Sequence, residues 1–355
     1  MLFQLLSTFL ISFFLILVII KNATKLGLTD IPNERSSHSK VTPRGAGIGF
    51  GGSFFINLFI WDFNFFISNG LVFLAIFLVF LVGILDDHKD ASPKAKFYVI
   101  FIASILVYLQ GIYIDTLGEY FGFNLTLWYL SLPFTMFALA GFTNALNLID
   151  GLDGLASSIS IVILSSFLYI GYLYQDYLIT LICSVTIVSL LAFLIFNWNP
   201  AKIFMGDSGS LFLGFIISLV AVISIKHVHP VTVVYLAALP VLDTLVVMIR
   251  RIRKGISPFS PDKTHIHHIL LVFFQKKVKK TVFFLVLMQA LFSLVGLSLA
   301  LNSDILGKGV ASTIAFLGFL GITVLFYMIF TGMKKKQKLI EKLALRKSKK
   351  RKKGN

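Results

Sequence analysis

The chain has 355 residues, of which 57% are hydrophobic and only 14% charged, and its mean hydropathy is +0.89. A soluble domain of this length does not carry 37 Phe with so little charge, so the composition selects a polytopic membrane protein. The formal net charge of +16 would suggest a nucleic-acid partner in a soluble chain, but in a membrane protein it is first a topology signal, and no nucleic acid is expected.

Apolar stretches long enough to span a bilayer fall at about 2–20, 46–62, 70–86, 97–113, 128–146, 155–174, 177–196, 210–225, 231–249, 281–301 and 310–332. The first, Leu2 to Ile20, has no basic residue ahead of it and no small-residue cleavage site behind it, and Lys21 follows it. It reads as a retained helix with its N-terminus outside. Counting along the chain then puts 30 of the 32 Lys and Arg on the cytoplasmic side, leaving only Lys226 and Lys308 outside, as the positive-inside rule demands. The expected fold is an all-α polytopic membrane protein of about eleven transmembrane helices with a cytoplasmic C-terminus. It comprises one membrane domain over 1–333 and a basic tail over 334–355. Cys183 sits alone in an apolar run and reads as a small packed side chain. The KSKKRKK tail reads as a solvated stop-transfer end, with anionic lipid headgroups as the alternative partner.

With this topology the dense polar motifs all fall on the cytoplasmic side. IPNERSSHSKVTPRGAG places Arg35, His38, Lys40, Thr42 and Arg44 ahead of glycines, either as an orientation-setting loop or as a basic loop that neutralises a diphosphate. GILDDHKDASPKAKF sets Asp86 and Asp87 at the end of the third stretch. Adjacent helical residues point different ways, so the pair divides two roles, while Asp90, Lys94 and Lys96 belong to a polar network at headgroup level. NALNLIDGLDG spaces Asn144, Asn147, Asp150 and Asp153 three apart, which lets Asn147 and Asp150 face one site. Such oxygens at a membrane edge need a partner, and Mg²⁺ with substrate phosphates is the natural one.

NWNPAKIFMGDSGSLFLG puts Asp207 at a helix start, where free backbone N–H groups suit phosphate and the carboxylate suits a metal, with Ser208 and Ser210 as caps. RRIRKGISPFSPDKTHIHHIL carries His265, His267 and His268 without the spacing of a zinc motif. Phosphate or sugar recognition is the better reading, with Pro258 and Pro261 stiffening the loop. Asp243, three residues after Pro240, either reaches the inner cavity or pairs with a cation. His227 and His229 fall on the outer side near Lys226 and receive no catalytic role.

Taken in order, LDDHKD, NALNLIDGLDGL, FMGDSGSLFLG and PFSPDKTHIHH resemble the polyprenyl-phosphate N-acetylhexosamine-1-phosphate transferase family (glycosyltransferase family 4), over roughly residues 30–270. The HIHH pattern is similar to the branch that transfers a simple amino-sugar phosphate rather than a muramoyl-pentapeptide. The resemblance implies transfer of an N-acetylhexosamine-1-phosphate, by default GlcNAc-1-phosphate, from a UDP-sugar to undecaprenyl phosphate. The implied place is the cytoplasmic face of a bacterial inner membrane, with release of UMP and the start of a cell-envelope glycan such as the O-antigen of lipopolysaccharide. It also implies Mg²⁺, or Mn²⁺ in its place, held by Asp207 and Asn147. Asp86, Asp87, Asp150 and Asp153 are then the catalytic residues, and Arg44, Lys94, Lys96, Asn144, His265, His267 and His268 bind substrate, with homodimerisation left open. Two other classes compete: an ion-coupled transporter and a noncatalytic envelope-assembly scaffold. A transport site belongs near the bilayer midplane between internal repeats, whereas here the acids crowd the helix ends and no repeat is visible.

Overall fold

Each of the eleven apolar stretches falls on helix, because a backbone in lipid must satisfy its own N–H and C=O groups. The computed structural model describes residues 1–32, 41–89, 91–257, 265–302 and 308–353. Arg35, His38, Lys40, Asp90, Pro258 and Pro261 lie outside the described residues. In chain order the elements are α1 (Leu2–Asn22), β1 (Thr29–Asp30), β2 (Thr42–Pro43), α2 (Ala46–Trp61), α3 (Phe63–Ser68), α4 (Gly70–Lys89), α5 (Pro93–Leu109), β3 (Thr116–Tyr120) and β4 (Phe123–Thr126). They continue with α6 (Ser131–Ile149), α7 (Leu155–Leu173), α8 (Tyr177–Asn197), α9 (Asp207–Ser224), α10 (Pro230–Leu236), α11 (Ala238–Ile252), α12 (Ile266–Phe273), α13 (Val278–Asn302) and α14 (Lys308–Lys353).

Among the described residues eight helices can cross a membrane by length and composition, or nine when α10 and α11 are taken as one broken span. Of the remaining two stretches, α2 has 16 residues and α5 has 17. The all-α membrane architecture expected from the sequence is therefore found. Among the described residues the strands are confined to two short antiparallel pairs, β1–β2 and β3–β4. The second was missed in the sequence. Phe121 and Gly122 between its strands both have positive φ, 52° and 79°, as a type I′ hairpin turn requires. The Phe121 N–H donates to Thr313 Oγ1 of α14 at 2.8 Å, which ties the turn down. The basic C-terminal end continues α14 as helix to Lys353.

The ninth stretch was expected as one span with a kink-prone Pro240, and in it α10 and α11 meet at 90°. Pro240 explains the break, since it has no N–H to give the carbonyl of Leu236. Gln289 of α13 repairs it: its Nε2 donates to Leu236 O at 2.8 Å and its Oε1 accepts from Leu239 N at 3.0 Å. A buried polar side chain thus satisfies the two backbone groups that the bend would leave bare.

The centre of the bundle is α9, in which every residue except Asp207 and Ala221 is buried. It packs against α4 and α6 and against α2. Without a hydrophobic force between helices in lipid, association depends on close van der Waals contact, and small residues permit it. A Cβ built on Gly47 of α2 would lie 2.1 Å from Gly209 N, one on Gly83 of α4 would lie 2.6 Å from Asp207 O, and one on Gly214 of α9 would lie 2.7 Å from Thr143 Cα of α6. Three neighbours therefore approach α9 backbone to backbone, two of them at its first turn.

Candidate active site

The first turn of α9 is also where the acids meet. Its cap comes from another helix: Asp87, at the end of α4, accepts from Asp207 N at 2.8 Å and from Ser208 N at 3.1 Å. Asp87 is 2% exposed, and both oxygens serve backbone amides that would otherwise be orphaned. The free N–H groups expected for phosphate at this helix start are spent on that carboxylate. Gly206 makes the approach possible. Its φ of 74° and ψ of 172° fall in a region that is essentially glycine's alone, and a Cβ there would lie 2.5 Å from Asp87 Oδ2.

Asp86 turns the other way, as adjacent helical positions do. It pairs with Lys96 Nζ of α5 at 2.7 Å, and the same ammonium also pairs with Asp207 Oδ2. One cation thus sits between two carboxylates from different helices. Lys94, two residues earlier, is exposed. Ser92 and Pro93 start α5 at this point: the serine Oγ accepts from Ala95 N at 3.3 Å, and proline at the first helical position needs no donor.

The α6–α7 turn supplies the next group. Asn147 Nδ2 donates to Ser210 Oγ at 3.0 Å, so the amide stands at the second turn of α9 and Ser210 is an acceptor, not an α9 cap. Asp150 follows at the end of α6, and no donor among the described residues reaches its carboxylate. Burial, then the charges of Asp207, Asp87 and Asp153, push its pKa up to about 7. Asp153 is engaged otherwise. Its Oδ2 accepts from Asn199 Nδ2 at 2.8 Å and Ala201 N at 3.0 Å, anchoring the α8–α9 loop. Asn197, overlooked in the sequence, does the same from the end of α8, accepting from Gly154 N at 2.9 Å and donating to Ile203 O at 3.0 Å. The other flank is held by α2, whose Ala46 and Gly47 amides donate to Phe204 O and Met205 O at 3.1 and 3.0 Å. Asp207 is thereby fixed from three sides. Arg44 Nη2 donates to the backbone oxygen of Asp87 at 2.7 Å, closing a carbonyl at the end of α4. Asn144, one turn before Asn147, is half-buried.

The histidine motif reaches the same place. His265 and His267 are 3% and 2% exposed, with their rings stacked at 5.9 Å, and His268 lies 4.1 Å from His267. His267 Nε2 would lie only 2.3 Å from a Cβ on Gly151, so this ring abuts the turn directly after Asp150. Burial, with His268 adding to it, lowers the His267 pKa to about 3. The ring is neutral at ordinary pH, and neither of its nitrogens has a hydrogen-bond partner among the described residues.

Among the described residues no three His, Cys, Asp or Glu side chains form a metal-holding group. The residues nevertheless fit a hard cation that retains water and phosphate ligands, which asks for only one or two protein carboxylates. Lys96 already sits where positive charge is wanted, between Asp86 and Asp207. At the opposite end of the bundle His227 pairs with Asp176 at 2.9 Å and His229 Nδ1 accepts from Val231 N at 3.2 Å, outside this constellation.

Comparison with known proteins agrees with the geometry. Residues 70–225 match the family model "Glycosyl transferase family 4". The chain is 35% identical over 280 residues to an undecaprenyl-phosphate alpha-N-acetylglucosaminyl 1-phosphate transferase of Yersinia pestis, covering 76% of both chains. It is 33% identical over 282 residues to the protein of the same name from Escherichia coli strain K12 and to a probable undecaprenyl-phosphate N-acetylglucosaminyl 1-phosphate transferase of Bacillus subtilis, in each case over 75% of this chain and 76% of the relative. The chain belongs to the polyprenyl-phosphate N-acetylhexosamine-1-phosphate transferases of glycosyl transferase family 4.

Proposed function

We propose that this protein transfers GlcNAc-1-phosphate from UDP-GlcNAc to undecaprenyl phosphate at the cytoplasmic face of the bacterial inner membrane. One observation carries the reading: Asp86 of α4 and Asp207 of α9 share Lys96 of α5 at an end of a membrane bundle, and Asp150, just after α6, stands close enough to Asp207 to feel its charge. A lipid phosphate confined to the bilayer and a water-borne nucleotide sugar can meet only at such an edge. The positive-inside count supports the cytoplasmic side for it.

Phosphoryl transfer depends on alignment and charge neutralisation, with the attacking and leaving oxygens in line across phosphorus. An oxygen of the lipid phosphate attacks the sugar-linked phosphorus of the donor, the bond from that phosphorus to the bridging oxygen breaks, and UMP leaves with that oxygen. The acceptor phosphate is largely ionised near neutral pH, with a second pKa of about 6, so it needs little help from a base. Asp150, whose carboxyl is held by no donor among the described residues, orients the acceptor and takes a residual proton. Lys96 turns its charge to the phosphates, while His265 and His267 hold polar groups of the donor. Asp87, Asp153 and Arg44 keep the α9 turn in place. Asp207, with Asn147, would hold Mg²⁺, which when bound neutralises the donor diphosphate and favours the UMP leaving group.

The test is transfer of radiolabelled sugar from UDP-GlcNAc into an organic-extractable lipid by purified protein with undecaprenyl phosphate, with and without Mg²⁺. The product mass across a panel of UDP-sugars identifies the donor. Solute movement across liposomes with no such lipid formed would discard the proposal in favour of a transporter.

A further inference from the structure

Asp243 lies on α11, beyond the acid cluster, and is 1% exposed. Both of its oxygens are committed to the start of the histidine helix. Oδ1 accepts from Ile266 N at 2.7 Å, and Oδ2 lies 2.8 Å from His265 Nδ1. The first bond caps α12 from outside, as Asp87 caps α9. The second settles the ring, because a carboxylate offers only lone pairs and Nδ1 must therefore carry the proton. The opposite nitrogen, Nε2, is buried without a partner among the described residues. Parallel to it stands His267, whose own nitrogens have no partner among the described residues and whose ring abuts Gly151 beside Asp150. A buried polar atom left bare costs free energy unless a ligand completes it.

We propose that Asp243 is a positioning residue that locks His265 in the Nδ1–H tautomer, so that the Nε2 lone pair accepts a hydroxyl or N–H group of the nucleotide sugar. The inference rests on the proposed transferase reading only for the identity of that ligand. The sequence left Asp243 between an inner-cavity role and pairing with a cation. The structure instead joins it to a histidine, in the arrangement by which a carboxylate fixes tautomer and ring orientation.

Replacement by asparagine separates the two bonds. In Asp243→Asn the amide oxygen takes the Ile266 N–H, which keeps α12 capped. The amide NH₂ then faces Nδ1 and forces that nitrogen to accept, so the ring proton moves to Nε2. The site nitrogen changes from acceptor to donor without loss of a side chain.

The decisive measurement is the ¹⁵N spectrum of full-length protein labelled at histidine, assigned with His265→Asn. Wild-type His265 protonated on Nδ1 and a switch to Nε2–H in Asp243→Asn support the proposal, whereas wild-type His265 in the Nε2–H form overturns it. The wild-type spectrum alone answers this if Asp243→Asn does not fold. With UDP-GlcNAc as probe, Asp243→Asn should lower kcat/KM for the nucleotide sugar by about 10- to 100-fold, with KM for the lipid unchanged. His265→Asn, which keeps the bond to Asp243 but lacks the second nitrogen, should lose as much, and the double variant no more than either. Independent, multiplying losses would overturn the proposal. Absence of lipid product with every donor would instead defeat the transferase reading, and the spectrum would still decide the role of Asp243.

Discussion

The two ends of the bundle both carry polar side chains in an apolar setting, yet they treat them in opposite ways. At the end away from the active site, Asp62 accepts from Tyr177 OH at 2.6 Å and from Gln4 Nε2, Gln4 also donates to Asn57 Oδ1 at 3.1 Å, and Asp176 both caps α8 and pairs with His227. These groups satisfy each other. At the active-site end two carboxylates share one lysine, and among the described residues Asp150 has no donor and His265 and His267 keep bare nitrogens. A polar group in a membrane bundle is costly unless paired, so closed networks act as interhelical glue and open ones mark where ligands are to come. Burial alone does not separate the two kinds.

The strongest way to break this comparison is to neutralise a carboxylate of the open set. Asp207→Asn and Asp86→Asn should each reduce sugar transfer on the order of 10²- to 10³-fold, with normal membrane insertion, measured as lipid product per purified protein. Retained activity would revive a scaffold role. A smaller effect is expected where the same turn is only crowded. Gly47→Ala places a methyl against Gly209 N and should destabilise the bundle by about 1–3 kcal/mol, read as a lower thermal midpoint in detergent.

Asp150 sharpens the comparison through pH. Its folded pKa is raised from 3.8 to about 7, so the folded state holds its proton more tightly than the unfolded chain. Its contribution is fully present below about pH 4 and is lost as pH rises through about 7. In chelator, the thermal midpoint should fall between pH 5 and pH 8, and Asp150→Asn should flatten that fall. Added Mg²⁺ should restore wild type more than the variant. The smallest effect belongs to the closed network at the other end: Asp176→Asn removes a partly exposed pair with His227 and should leave sugar transfer within about twofold. A large loss there would show that closure of a network does not mark it as structural.

Much of this organisation is legible in the chain. Spans follow from runs of apolar residues whose length is set by the bilayer, and NALNLIDGLDG, FMGDSG and HIHH stand out because oxygens and imidazoles are expensive in such company. What the pattern could not give was the division of labour within a motif. Asp86 and Asp87 are chemically identical neighbours, yet one meets Lys96 and the other caps α9. Asp150 and Asp153 share a spacing, yet only Asp153 is tied to a loop. Asn197 went unread in the sequence, yet it ties the loop that leads to Asp207.

By itself, then, the sequence determined that the protein is a helical membrane bundle and which residues could do chemistry, since both depend on composition and local spacing. Only the tertiary structure decided which of those residues are spent and which are open. That choice is made by groups far apart in the chain: Asp87 with Ser208, Lys96 with Asp207, Asp243 with His265. Hydrogen bonding saturates a side chain according to what is packed against it, and no local pattern records that.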